Sequence, residues 1–158
     1  MLEEINTSCC FTGHRKIPKN DINALREMVE FEIEKHYCLH GVKTFISGGA
    51  MGFDLLAAEE VIKAKKRHPD IRLIFALPCQ DHTAKWPESE IVKLKFLLLY
   101  ADETFYVSDH YTSSCMLKRN RYMLDRSLYC ISYCKKSSGG SYYTANRAKK
   151  LCKILTEL

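Results

Sequence analysis

The chain has 158 residues, of which 46% are hydrophobic and 27% charged, and its formal net charge is +5. That length supports about one domain around one compact core. No apolar run approaches the ~20 residues of a bilayer-spanning helix, so a helical membrane protein is excluded.

Strand and helix signals then alternate from end to end. Ser8 to Thr12 is a short apolar strand, followed by a polar turn from Gly13 to Asn20. Asp21 stands where it can cap a helix whose apolar positions Ile22, Leu25, Met28, Val29, Ile33 and Tyr37 recur at spacings of three and four, and Gly41 ends it. Val42 to Ile46 reads as the second strand. A helix over Leu55 to Lys66 turns Leu55, Leu56, Ala58, Val61 and Ile62 inward, and His68-Pro69-Asp70 breaks it. Ile71 to Leu77 is an almost unbroken apolar run closed by Pro78, the pattern of a strand buried on both faces. Beyond it come a helix over Glu88 to Tyr100, a strand over Glu103 to Val107, a helix over Ser113 to Arg126 and a strand over Leu128 to Cys134. A last helix, Tyr142 to Leu151, leads into a short strand around Ile154.

Strict alternation implies right-handed crossovers and a mainly parallel sheet of five to six strands covered on both faces. The expected fold class is therefore α/β: a single doubly wound domain over residues 1–158. In such sheets ligands bind outside the carboxyl ends of the strands. The unusual loops all fall there: Gly13 to Arg15, Ser47 to Asp54, Pro78 to Trp86, Ser108 to Ser114 and Lys135 to Gly140.

Between Ser47 and Asp54 the glycines Gly48, Gly49 and Gly52 join a strand to a helix. Glycines let a ligand approach the backbone, and the first N–H groups of the helix lack intrahelical partners, so an anion such as phosphate fits there. The stretch has neither the Walker pattern nor the GxGxxG pattern, and a sharp corner would need the same residues. Asp54 either caps the helix or meets ribose hydroxyls, since a carboxylate repels phosphate. Ser138-Gly139-Gly140-Ser141 is a second such turn or a plain loop, and two turns on one edge favour a two-ended ligand or one carrying both phosphate and sugar.

Thr12-Gly13-His14-Arg15 ends the first strand. Arg15 is suited to fork onto a phosphate or carboxylate, or else decorates a surface turn, and His14 reads as surface. Arg119, Asn120 and Arg121 sit mid-helix with Met116, Met123 and Leu124, which requires one arginine to tilt toward the sheet edge. Trp86, the only tryptophan, either stacks on a base or staples the following helix. No Ser-His-Asp order and no paired carboxylates stand out, so spacing alone establishes no enzyme.

Eight cysteines occur without a signal-peptide hydrophobic region in the acidic start Met1 to Glu4. Cytoplasmic residence is expected, with Cys9, Cys10, Cys130 and Cys134 as buried thiols rather than disulfides. His36, Cys38 and His40, or Cys79 and His82, lack the paired CxxC spacing of a zinc site, so no metal is expected. The positive charge comes partly from Lys63 to Arg67 and Lys149-Lys150, at helix ends where cations are usually solvated. With a modest excess and no interleaved aromatics, a nucleic-acid partner is not expected, nor is a membrane.

Taken together and in order, several motifs resemble the SLOG superfamily, and more closely its YpsA-like branch of Rossmann-type proteins. They are Thr12-Gly13-His14-Arg15, Ser47 to Asp54 with Ala57-Ala58-Glu59 behind it, Pro78 with Gln80 and Trp86, Arg119 to Asp125, and Gly139-Gly140 followed by Thr144. The resemblance covers nearly the whole chain and implies a Rossmann-like fold with a pocket for a nucleotide or nucleotide-derived ligand. The LOG enzymes of the same superfamily are phosphoribohydrolases that cleave a base from a nucleoside monophosphate with an arginine and a glutamate. Met116 to Arg119 is similar to the segment supplying their arginine, which makes Arg119 the candidate catalytic residue. Their glycine-rich loop falls on Ser138 to Asn146, with Asn146 at the glutamate and Tyr142 at the third glycine. An amide cannot ionise, so it can neither stabilise an oxocarbenium ion by charge nor act as a base. Glu59 or Asp125 would have to substitute. More distantly the chain is similar to DprA, a DNA-binding member.

The resulting expectation is a binding or sensing protein for a nucleotide or an ADP-ribose- or NAD-like ligand, with no required cofactor. Its ligand-binding residues are Thr12, Gly13, Arg15, Ser47, Gly48, Gly49, Gly52, Asp54, Trp86, Arg119, Asn120, Gly139 and Gly140. A phosphoribohydrolase and a DprA-like nucleic-acid binder are the alternatives, and a homo-oligomer is left open.

Overall fold

The computed structural model describes residues 2–136, 139–151 and 153–158. Six parallel strands form one sheet: β1 Ser8–Gly13, β2 Thr44–Ser47, β3 Arg72–Leu77, β4 Glu103–Tyr106, β5 Tyr129–Tyr133 and β6 Ile154–Glu157. Their order is β4-β3-β2-β1-β5-β6. Cys10 of β1 stands level with Ile46 of β2 on one side and Cys130 of β5 on the other. The helices are α1 Leu2–Asn6, α2 Ile22–His40, α3 Phe53–Arg67, α4 Glu88–Leu98, α5 Cys115–Asp125 and α6 Gly140–Lys150.

Side chains alternate across the sheet along each strand, and both faces are apolar. Cys9 and Phe11, Phe45, Leu73, Phe75 and Leu77, and Tyr129, Ile131 and Tyr133 share one face, packed with Leu25, Val29 and Ile33 of α2, much of α3, and Leu94 and Leu97 of α4. Cys10, Ile46, Ala76 and Cys130 share the other, beneath Met123 and Leu124 of α5 and Ala148 of α6. Chain direction explains the split. Steps from β1 to β4 move one way across the sheet, after which the chain returns to pair β5 with β1 and places α5 and α6 on the opposite face.

The expected alternation and the two-faced parallel sheet are what the structure shows. Several local expectations need correction. Met28 is exposed, because the buried stripe of α2 runs through Leu25, Val29, Ile33 and His36. Asp21 makes no side-chain cap, since the chain enters α2 through a 3-10 turn, Lys19–Asp21, in which the Asp21 N–H donates to the Pro18 carbonyl at 2.9 Å. Cys134 is half-buried, just past the end of β5, while Cys9, Cys10 and Cys130 are fully buried. Helix α1, five residues long, has no counterpart in the periodicity.

Candidate functional site

The sheet reverses its direction of growth between β1 and β5, and a cavity of about 360 Å³ opens beside their carboxyl ends. This is where doubly wound sheets hold ligands. Its wall combines Phe11, Thr12, Gly13, His14 and Arg15 from β1 and its loop, Ala50 and Asp54 from the β2–α3 turn, and Met116, Arg119 and Asn120 from α5. Lys136, Gly139, Gly140 and Ser141, ahead of and within the start of α6, complete it. Three cations, Arg15, Arg119 and Lys136, face one carboxyl group, Asp54.

Arg119 is only 5% exposed, so it is the arginine of α5 that tilts inward, while Arg121 stays outside and donates to the Tyr143 hydroxyl. The Arg119 Nε donates to Asn120 Oδ1 at 2.8 Å, and Nη1 donates to the Gly48 carbonyl. Nη2 also donates to the Met116 sulfur at 3.9 Å, which leaves one N–H on each of Nη1 and Nη2 for a guest. Asp54, in the first turn of α3, accepts the Ala50 N–H on Oδ2 at 3.2 Å, and its buried Oδ1 has no partner among the described residues. Burial pushes the Asp54 carboxyl up to about 6, outweighing the opposing pull of Arg119, the Ala50 N–H and Arg15. Burial also lowers the Arg119 pKa, against the pull of Asp54.

Glycine 48 makes this geometry possible. A Cβ there would lie 2.7 Å from Arg119 Nη1 and 2.8 Å from Asp54 Oδ2, filling the space between the two charged groups. Ser47 holds the same turn from behind: its hydroxyl donates to the Asp54 carbonyl at 2.9 Å and accepts the Gly49 N–H at 3.2 Å. Asp54 therefore sits inside the turn and is not the cap of α3, a place taken by Gly52.

His14 ties three elements together. Its N–H donates to the Tyr133 carbonyl, its carbonyl accepts the Phe53 N–H at 3.0 Å, and its Nε2 accepts the Lys135 N–H at 2.6 Å. An accepting Nε2 requires the unprotonated ring, and burial, followed by the charges of Lys136 and Lys135, lowers its pKa accordingly. On the far wall α6 starts at Gly140, and the Thr144 hydroxyl donates to the Gly140 carbonyl at 2.9 Å. The amides of the first helical turn have no intrahelical acceptor, and the dipole makes that end positive.

Of the residues expected to bind ligand, Thr12, Gly13, Arg15, Asp54, Arg119, Asn120, Gly139 and Gly140 line this cavity. Ser47, Gly48 and Gly49 stand behind its wall, Gly52 packs under the Arg15 backbone, and Trp86 lines an adjoining cavity. Ser138, the expected start of the second glycine turn, lies outside the described residues. Sequence reasoning missed Phe11, Ala50, Lys136 and Ser141 as wall residues and took Met116 for core, and His14, read as surface, is a wall residue bonded to three elements. The signal for Lys136 was present, as a cation in a loop already assigned to the carboxyl edge.

Neither carboxylate offered as a substitute for the LOG glutamate reaches the cavity. Glu59 is paired with Arg26 at 2.7 Å and with Lys93 at 3.7 Å. Asp125 lines a groove with Ser8, Thr44 and Arg72, at the amino ends of the strands. Asn146, in the second turn of α6, is not part of the wall. Among the described residues one group brings three ligand-type atoms within 4.8 Å, Glu34, Cys38 and His68. It lies away from the cavity, and the Glu34 carboxylate is already forked between Arg67 and His68. No helix among the described residues is long and apolar enough to cross a membrane.

A family model described as the YspA SLOG family matches residues 10–154. An uncharacterised prophage-derived protein of Bacillus subtilis, YoqJ, is 32% identical over 67% of this chain and 69% of its own length. A UPF0398 protein of Staphylococcus epidermidis is 27% identical over 76% of this chain and 68% of its own. Among solved structures, DNA processing protein A from Helicobacter pylori, described with a single-stranded DNA binding mode, superposes with a TM-score of 0.67 at 18% identity. The match covers 99% of this chain and 66% of that one. The DprA of Streptococcus pneumoniae gives 0.69 at 16% identity, over 95% of this chain and 49% of that one. At such identities the likeness concerns the fold.

Proposed function

The chain belongs to the YspA SLOG family, and from the chemistry of its cavity we propose that it is a cytoplasmic binding or sensing protein for a nucleotide or a nucleotide-derived ligand of the ADP-ribose or NAD type. One observation carries the reading. A buried guanidinium with unused donors and a buried carboxyl with an unpartnered oxygen line the same cavity, yet each is bonded to other groups. A structural ion pair closes on itself, because a buried charge left without a counter-group is costly. Two incompletely bonded groups beside one cavity suit a guest that supplies partners to both.

Arg119 and Arg15 offset the phosphate charge in this reading, and the amides of Gly140 and Ser141 at the start of α6 receive its oxygens. Asp54 takes the ribose hydroxyls, which donate where phosphate would repel. A second reading, phosphoribohydrolase activity, draws on Asp54 alone, the one carboxyl in the wall and one whose raised pKa suits proton transfer near neutrality.

Thermal denaturation with millimolar AMP, ADP-ribose or NAD tests the proposal. At least one of them is expected to raise the midpoint in a concentration-dependent way. Arg119→Ala should weaken that ligand about tenfold to a hundredfold, the worth of a charge-assisted contact, and the outward Arg15→Ala should weaken it less. No shift with any of the three overturns the reading. Release of free base from AMP moves the assignment to the hydrolase. Salt-sensitive retardation of single-stranded DNA without any nucleotide shift moves it to nucleic acid.

A further inference from the structure

A second cavity, of about 560 Å³, adjoins the first and has a different wall. Arg15 and Met116 belong to both cavities, and the Arg15 Nη2 lies 3.7 Å from the Met116 sulfur. Beyond that pair the wall carries three rings and a second thioether, Trp86, Tyr111, His82 and Met51, with Asp81, Ala84 and Lys85 completing it. Its rings come from the loop after β3 and the loop before α5.

We propose that this second cavity receives the planar heterocyclic base of the ligand whose phosphate and sugar occupy the first. The inference rests on the nucleotide reading above and names the part of the ligand that reading leaves without a place. Flat aromatic faces and polarisable sulfur suit a heterocyclic ring, which every base offers regardless of its hydrogen-bonding edge. Trp86 is braced for the purpose. Its ring is half-buried against the core and meets His82 edge-on, with centroids 5.2 Å apart. His82 is itself fixed, with Nδ1 2.8 Å from the Cys79 carbonyl that accepts its proton. Tyr111 projects from the facing loop and is 61% exposed, an uncovered aromatic side chain.

A third cavity, of about 640 Å³, also touches Arg15 but suits a base poorly. Among the described residues no aromatic ring lines it, and Glu59, Glu90, Arg26 and Lys93 supply much of its wall. Arg15 is thus the hinge between a phosphate site and two candidate directions, of which only one offers stacking surfaces.

Trp86 is the only tryptophan in the chain, so its fluorescence reports on this cavity alone. The experiment titrates the protein with AMP and, separately, with ribose 5-phosphate, which carries the sugar and phosphate without a base. AMP is expected to change the Trp86 emission and to bind at least about tenfold tighter than ribose 5-phosphate, which should leave the emission unchanged. Trp86→Ala and Tyr111→Ala should each weaken AMP about tenfold and leave ribose 5-phosphate unaffected. Tyr111 carries little packing, so its variant answers the objection that Trp86→Ala disturbs the fold. Equal affinity for the two probes with a silent Trp86 overturns the base site and leaves the phosphate site standing. Equal loss of both probes in Tyr111→Ala also overturns it. Binding of neither probe overturns the base site as stated, while the nucleotide reading stands or falls on the thermal test with AMP, ADP-ribose and NAD.

Discussion

At Gly48, Gly49 and Gly52 an added methyl group would run into Arg119 and Asp54, into Leu77, and into the backbone of His14 and Arg15 respectively. At Gly139 and Gly140 it would meet nothing within 4 Å among the described residues. Both turns follow a strand, both precede a helix, and both stand on the carboxyl edge of one sheet. Their glycines nonetheless serve different ends. Those of the β2–α3 turn give up their side-chain space to other parts of this protein, which brings Arg119 and Asp54 to the cavity wall. Those of the turn ahead of α6 keep their space open, and the cavity borders on it. A glycine-rich loop therefore marks close approach without saying whether the visitor is a ligand or the rest of the fold.

Substituting Gly52 tests the packed side of this contrast most severely. Its φ of +80° lies where side chains rarely fit, and the added Cβ overlaps a backbone carbonyl that cannot swing aside. Backbone strain and overpacking each cost roughly 1–3 kcal/mol. Gly52→Ala should lose about 4 kcal/mol in urea denaturation. A loss under about 1 kcal/mol would show that the turn is not as tightly filled as its geometry implies.

Asp54, buried by the same turn, supplies the next largest effect. Its carboxyl titrates at about 6 in the folded chain against an ordinary 3.8, so the native state holds the proton more tightly than the unfolded one. The sign follows from linkage. The penalty is absent below the unfolded value, grows as pH rises, and is complete above about 6. Asp54→Asn has no such titration. The stability of the wild-type chain relative to Asp54→Asn should fall by about 3 kcal/mol between pH values below about 4 and above about 7. A pH-independent difference in denaturation midpoint would mean that Asp54 is solvated and that its unpartnered oxygen is no ligand site.

How much of this was legible beforehand follows from which contacts are local. The strands were readable because the short apolar run at Cys9, Cys10 and Phe11, and the longer one to Leu77, depend only on neighbours in the chain. The carboxyl-edge loops were readable for the same reason, through the order of elements. That Arg119 points inward and Arg121 outward depends on the rotational phase of α5, which Met123 and Leu124 set only once the sheet is known. Glu59 and Asp125 were misplaced as substitutes because reaching the cavity requires three elements in register, and α3 turns Glu59 toward Arg26 instead. The division of the glycines was least legible of all, since what fills the space beside Gly48 comes from a residue 71 positions away.

The open turn gives the smallest effect and the one with the opposite sign. Gly140 is the first residue of α6, its φ is not in the left-handed region, and no atom of the described residues stands within 4 Å of where its Cβ would be. Alanine is preferred over glycine in a helix by up to about 1 kcal/mol, with less of that realised in a first turn. Gly140→Ala should therefore leave the stability unchanged or raise it by a few tenths of a kcal/mol, while Gly139→Ala, at a φ of +96°, should lose about 1 kcal/mol from strain alone. Ligand binding then separates packing from function. The new methyl group of Gly140→Ala borders the cavity beside the first-turn amides, so it should weaken AMP although the fold is no less stable. If Gly140→Ala binds AMP as tightly as the wild type, the amides at the start of α6 do not hold the phosphate, and its anchors are the wall cations Arg119, Arg15 and Lys136.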